Sequence, residues 1–192
     1  AYGELKHLMP HLHLPVQAGD DEILRRMNRR YNREHYLDLV RRLRAARPDI
    51  GLTTDIIVGF PGETEAQFEQ TLSLVDEVRY DSAYTFIYSP RVGTKAASMP
   101  DDTPAEEKSR RIQTLIAKQQ AITSEILSGM VGTTAEVLVE SVSARDAGWV
   151  GGKSPRALMV NFPGGEELIG RIVKVRITSA GRNTLRGELV NE

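Results

Sequence analysis

Between residues 11 and 129 the chain alternates three times between a short β-compatible run and a helical stripe, and after Gly132 its apolar period switches to two. The first run, His11-Leu12-His13-Leu14-Pro15-Val16-Gln17, alternates up to Pro15 and ends at Ala18-Gly19. A helical stretch from Asp20 breaks near Tyr31-Asn32, resumes with Tyr36, Leu37, Val40 and Leu43 on one face, and closes at Pro48. Leu52 to Phe60, rich in Thr, Ile and Val and stopped by Pro61-Gly62, reads as a strand buried on both faces, the habit of parallel sheets. Thr64-x-x-Gln67 is a capping box ahead of a stripe of Phe68, Leu72, Val75 and Val78. Ala83 to Tyr88 forms a third strand, and a long helix opens at Thr103-Pro104 and ends at Gly129. A β-α-β-α-β-α order predicts an α/β unit with a parallel sheet and right-handed crossovers.

Beyond Gly132, Ala135, Val137 and Val139 share one face, as do Val173, Val175 and Ile177, with Lys174 and Arg176 opposite. Gly-rich turns separate about five short strands, the pattern of a small closed all-β barrel of the OB type. The boundary falls near residue 130. Three βα units leave a parallel sheet open, so the chain is expected to be the C-terminal part of a longer protein. Its edge strand and uncovered sheet face are expected to bind hydrophobic dyes.

Composition narrows the chemistry. The chain has no cysteine, which excludes disulfides, thiolate nucleophiles and any cysteine-ligated zinc or iron–sulfur centre supplied by these residues. A net charge of −1 exerts no global pull on nucleic acid, so an RNA site must be a local patch. No apolar run reaches the ~20 residues of a membrane span, and the N-terminus lacks the pattern of a signal peptide. A cytoplasmic home without membrane association is the expectation.

Five constellations can carry function. Asp55-Ile56-Ile57-Val58-Gly59-Phe60-Pro61-Gly62-Glu63 ends a strand where α/β barrels place their sites; its bland alternative is a strand-to-helix turn. Tyr88-Ser89-Pro90-Arg91 offers an aromatic, a hydroxyl and a cation at the end of the next strand, or is a surface loop. Gln17 follows a strand with His11 and His13 at i, i+2; without a third ligand, core or contact histidines outweigh a metal site. Arg25, Arg26, Arg29, Arg30 and Arg33 either grip phosphates or form a solvated helix face. In the barrel, Lys153, Arg156, Lys174, Arg176, Arg182 and Arg186 form a basic set with Trp149 and Phe162 as the sole aromatics.

Taken together, His11–Gln17, Arg26-Met27-Asn28-Arg29, Thr53-Thr54-Asp55-Ile56-Ile57-Val58-Gly59-Phe60-Pro61-Gly62-Glu63-Thr64 and Phe86-Ile87-Tyr88-Ser89-Pro90-Arg91 resemble the radical-SAM methylthiotransferases, and from Val131 onward the chain resembles the TRAM domain. Asp81-Ser82-Ala83-Tyr84-Thr85-Phe86 and the Ser89-Pro90-Arg91 ending are most similar to the tRNA branch, which methylthiolates an isopentenylated adenosine beside the anticodon. The resemblance implies residues 1–130 as the C-terminal half of a radical-SAM (TIM-like) barrel and residues 131–192 as a TRAM-like RNA-binding barrel. It implies S-adenosyl-L-methionine and two 4Fe-4S clusters as cofactors, the clusters ligated by cysteines in a missing N-terminal part of the same protein. Those cofactors supply the radical chemistry, and the protein positions them.

Carried over by motif, Gln17 faces the methionyl or ribose end of SAM, Ile57, Gly59 and Glu63 belong to the fifth-strand SAM motif, and Tyr88, Ser89 and Pro90 border its adenine. Arg91 is left to meet substrate, and Arg29, Lys153, Arg156, Lys174 and Arg176 are the RNA candidates. Lys153-Ser154-Pro155-Arg156-Ala157 departs from the family's usual string. The chain is expected to form part of a tRNA methylthiotransferase and to be inactive alone. The alternatives are a stand-alone RNA-binding module, which an upstream cysteine triad in frame would exclude, and the ribosomal-protein branch, against which Ser89-Pro90-Arg91 argues.

Overall fold

The computed structural model describes residues 1–101, 103–143 and 146–190. They form two compact units, one of residues 12–122 and one of residues 123–192 with residues 3–11. The first holds most of β1 (His11–His13), α1 (Asp21–Arg26), α2 (Arg33–Ala46), β2 (Gly51–Val58), α3 (Glu65–Val78), β3 (Ser82–Ile87) and most of α4 (Ala105–Ser128). The strands lie in the order β1-β2-β3. β2 and β3 run parallel, pairing Thr53 with Ser82 through Val58 with Ile87. Beyond β1 the chain rejoins the sheet once, where Gln17 bridges Ile56 in parallel.

Local chemistry sets the breaks. Asp20 caps α1 by accepting from the Ile23 N–H, and Asn32 caps α2 by accepting from the His35 N–H, so the helical stretch is two helices rather than one kinked one. Thr64 and Gln67 form the full capping box at α3. The Thr54 hydroxyl, buried in mid-strand, donates to the Leu14 carbonyl and accepts from the Val16 N–H, which ties the segment after β1 to β2. Tyr80 donates to the Tyr36 hydroxyl, and Tyr36 to the Leu14 carbonyl. Burial pushes the Tyr36 phenol up to about 12 and raises the Tyr80 phenol well above its ordinary value, so neither ionises in the physiological range.

Two expectations need correction. β2 is not buried on both faces: Leu52, Thr54, Ile56 and Val58 are buried, whereas Thr53, Asp55 and Ile57 are half-exposed. One face of the strand is therefore only partly covered. α3 buries Phe68, Thr71, Leu74, Val75 and Val78, so Leu74 and Thr71 replace Leu72 at its centre. The Thr71 hydroxyl accepts the Gly19 N–H, and a Cβ on Gly19 would stand 2.5 Å from the Gln70 carbonyl oxygen. Only glycine permits that approach.

β3 lies at the sheet edge with Tyr84 59%, Phe86 51% and Ile87 40% exposed. An aromatic strand so open to water binds amphiphilic dyes. The chain is therefore expected to enhance the emission of an anilinonaphthalene sulfonate dye under native conditions, and Tyr84→Ser with Phe86→Ser to abolish most of the gain. No enhancement by the parent chain would contradict this.

The second unit contains a closed barrel of β4 (Thr134–Val142), β5 (Trp149–Lys153), β6 (Met159–Pro163), β7 (Ile172–Ala180) and β8 (Leu185–Leu189), in the order β4-β5-β6-β8-β7. All neighbours are antiparallel except β6 and β8. Val137, Val139, Val150, Val160, Phe162, Val175, Ile177 and Leu185 fill it together with Leu127 from the end of α4. Closure leaves these strands without a free edge.

Candidate functional site

The half-exposed face of β2 and β3 opens into a cleft of about 1130 Å³. Ile57, Phe60, Phe86 and Tyr88 give it an apolar, aromatic floor, and Gln17 and Asp55 bring polar groups to it. Phe60 and Tyr88 pack edge to face at 5.1 Å, which turns both rings into one wall. The Tyr88 hydroxyl is buried without a hydrogen-bond partner among the described residues. Such a group normally costs about 1–3 kcal/mol, so it marks a place where a ligand can supply an acceptor or donor.

Gln17 sits at the cleft in a left-handed backbone conformation, φ 72°. Its N–H donates to the Asp55 carbonyl and its carbonyl accepts from the Ile57 N–H, both at 2.9 Å. Those two bonds hold a non-glycine residue in a region that costs about 1–2 kcal/mol. On the same face His13 Nδ1 lies 3.0 Å from the Thr53 hydroxyl and its Nε2 3.4 Å from Asp55. No group of three or more potential metal-ligating side chains occurs among the described residues.

Gly59 follows β2 with φ +67°, a backbone conformation that L side chains rarely adopt. Its N–H donates to Glu63 Oε2 at 2.7 Å, and the stem of Lys108 occupies the space where a Cβ would stand. Glu63 does not line the cleft: its side chain is fully buried and pairs with Arg111 Nη1 at 3.0 Å. Arg111 is itself nearly buried, and also donates to the Glu63 carbonyl and to Glu107 at 2.8 Å. Burial pushes the Glu63 carboxyl above the usual carboxylate range, opposed by the Gly59 N–H and by Arg111. Glu107, bound first by Arg110 and then by Arg111, is held down at about 2. Glu63 therefore shapes the turn that carries Ile57 and Gly59.

The arginine cluster divides by partner. Arg25 pairs with Glu22 at 2.6 Å, Arg26 donates to the Pro61 carbonyl and lies over the Phe60 ring, and Arg33 reaches the Gln70 carbonyl and Glu77. Arg29 remains exposed at the rim of the cleft. Its place follows from α1's ending: Asn28 adopts φ 59°, and the Asn28 and Arg29 N–H groups donate to the Arg25 and Leu24 carbonyls in a Schellman closure. Arg91, Lys95 and Ser89 line the rim from the segment after β3, whereas Pro90 is exposed beside it and does not. The structure thus gathers Gln17, Ile57, Tyr88, Ser89, Arg29 and Arg91 around one space.

On the barrel, Lys153, Lys174 and Arg176 are exposed and Arg156 is half-buried in the turn after β5. Glu136 stands opposite Lys174 and Glu188 opposite Arg176 in the strand register. Their field is therefore diluted by cross-strand acids, which the sequence order conceals. Sequence reasoning missed Arg111, whose signal is a charge at the start of a buried helical series with Leu115, Gln119 and Ile122.

Comparison with known proteins gives consistent results. Residues 1–75 match the radical SAM superfamily and residues 129–190 the TRAM domain. The chain is 53% identical over 186 residues to a tRNA-2-methylthio-N(6)-dimethylallyladenosine synthase of Geobacillus thermodenitrificans, covering 97% of this chain and 36% of that protein. It is 50% identical over 189 residues to the synthase of the same name from Methylobacillus flagellatus, covering 98% of this chain and 43% of the relative. The corresponding protein of Nitrosospira multiformis is 49% identical over 190 residues, covering 99% and 40%. The chain spans between a third and a half of the length of these relatives.

Proposed function

We propose that this chain, which belongs to the radical-SAM methylthiotransferase family and carries a TRAM domain, is the SAM-facing and RNA-facing part of a tRNA methylthiotransferase acting on an isopentenylated adenosine. What carries the reading is the convergence of Gln17, Ile57, Tyr88 and Ser89 on one aromatic-floored cleft with Arg29 and Arg91 at its rim. The α/β unit is then the C-terminal half of a TIM-like barrel, and the cleft faces the barrel interior.

The cleft residues suit SAM. Ile57, Phe60 and Tyr88 offer apolar surface to an adenine, the orphaned Tyr88 hydroxyl offers it a hydrogen bond, and the Gln17 amide and Ser89 hydroxyl are placed for the sugar or methionyl groups. Glu63 acts through Gly59 as a positioning residue. When bound, SAM supplies the methyl group and the radical precursor for the family's reaction. Arg29 and Arg91 are set to meet the phosphates of the substrate RNA. The two 4Fe-4S clusters do not fit these residues, because the sequence has no cysteine, so their ligands lie elsewhere in the protein and the chain alone is inactive. A tRNA substrate places the work in the cytoplasm, and no described helix is long and apolar enough to cross a membrane.

The test is SAM affinity of the intact enzyme by equilibrium dialysis. Gln17→Ala and Tyr88→Phe are each expected to weaken binding about tenfold, the loss of roughly one well-placed hydrogen bond. Unchanged affinity in both variants would remove the cleft from consideration.

A further inference from the structure

Beyond the cleft, one cluster on the barrel is left unused by this reading. Trp149, at the start of β5, is the chain's sole tryptophan. Its neighbour Val150 points into the core, so the Trp149 ring belongs to the outward face, whereas Phe162 is fully buried. The Arg186 guanidinium lies over the indole with its carbon 5.1 Å from the ring centroid, and its Nη2 donates to Asp146 at 3.1 Å. Arg186 nevertheless keeps about half of its side chain in water, 53% exposed. Asn161 sits beside Arg186 in the β6–β8 register and opposite Gly151, where a Cβ would stand 2.9 Å from the Asn161 amide oxygen. Glycine at that point leaves room for the amide.

The charge on Arg186 is already matched by Asp146, so the group is poorly suited to hold a phosphate. What it offers is a plane. Asp146 fixes the fork, the indole supports it from beneath, and its outer side is open beside an amide that donates and accepts. Guanidinium and indole planes of this kind stack nucleobases, each stack being sequence-tolerant because every base has a π-face. We propose that Trp149, Arg186 and Asp146, with Asn161 beside them, form a stacking site for an unpaired nucleobase of RNA. The proposal rests on the RNA-binding reading of the barrel and adds the place and mode of contact.

The single tryptophan makes the test direct. The chain is titrated into a 5′-labelled oligoadenylate of about 12 nucleotides, within the usual site size of such barrels, while label anisotropy and indole emission are followed together. Quenching of Trp149 with the midpoint of the anisotropy change is the expected result. Arg186→Lys, which keeps the charge and loses the plane, is expected to weaken binding about tenfold, as is Trp149→Leu, while Trp149→Phe stays within about threefold. Thermal melts of the variants confirm that the barrel is folded.

Anisotropy that saturates without quenching, or an Arg186→Lys variant of parental affinity, overturns the proposal and leaves RNA binding intact. Quenching by adenosine monophosphate at equal nucleotide concentration would assign the site to a free nucleotide and overturn it too. No anisotropy change at all would overturn the RNA reading itself.

Discussion

Glu63→Ala is expected to lower the stability of the α/β unit by about 3–5 kcal/mol, read from urea denaturation followed by far-UV circular dichroism. The figure follows from what the deletion strands. Arg111 is nearly buried and is left with Glu107 at 2.8 Å, the more exposed Glu65 at 3.5 Å and the backbone carbonyl of residue 63 once the carboxylate is gone, and the Gly59 N–H loses its acceptor in a turn that only glycine fits easily. Glu63→Gln retains an acceptor for Gly59 and is expected to lose less. The two proteins also diverge with pH. Burial raises the folded pKa of Glu63 above its unfolded value near 4.5, so the folded state binds the proton more tightly. The carboxyl's contribution is therefore greatest below that value and declines as pH rises through the raised pKa. Wild type should lose ground relative to Glu63→Gln as pH climbs from 4.5, and a gap that widens in favour of wild type would refute the assignment.

A comparably large loss is expected at the other end of the chain. A Cβ on Gly152 would stand 2.0 Å from the Leu138 carbonyl oxygen and 2.7 Å from its carbon, both backbone atoms of the neighbouring strand. Neither can rotate away as a side chain would, so Gly152→Ala must spread β4 from β5. Overpacking of ordinary side chains costs about 1–3 kcal/mol, and a clash with main chain in a closed barrel belongs at or above the top of that range. The measurement is the urea midpoint of Trp149 emission, since that indole lies on β5. A midpoint unmoved by the substitution would mean that the strands are less tightly apposed than described.

How far the sequence carried is best seen element by element. The break between α1 and α2 was legible because Asn32 is a capping residue in the middle of a helical pattern, and Thr64 with Gln67 marked α3 by a local exchange of hydrogen bonds. The barrel was legible because period two survives in strands whose inner face is Val and Ile. What escaped was whatever depends on a remote partner. Asp55 and Ile57 stand among the site candidates by their place at the end of a strand, but the apolar run around them reads as buried on both faces, and what escaped is that their face is half-exposed to the cleft. Glu63 looked like a ligand contact because its motif is contiguous, but its partner Arg111 is 48 positions away. In the cleft itself, Gln17, Ile57, Tyr88 and Ser89 share no spacing that periodicity could link, and the sheet is what assembles them.

The left-handed backbone at Gln17 has a consequence for how this position can vary. Glycine, asparagine and aspartate tolerate such a conformation best, and β-branched residues worst. In a library of all substitutions sorted for folded protein, glycine should rank above the parental residue. The same library sorted for ligand retention should rank glutamine first and glycine far down. Two selections on one residue would then return opposite orders, and the disagreement between the lists would measure how much conformational ease the site gives up to keep an amide over the cleft.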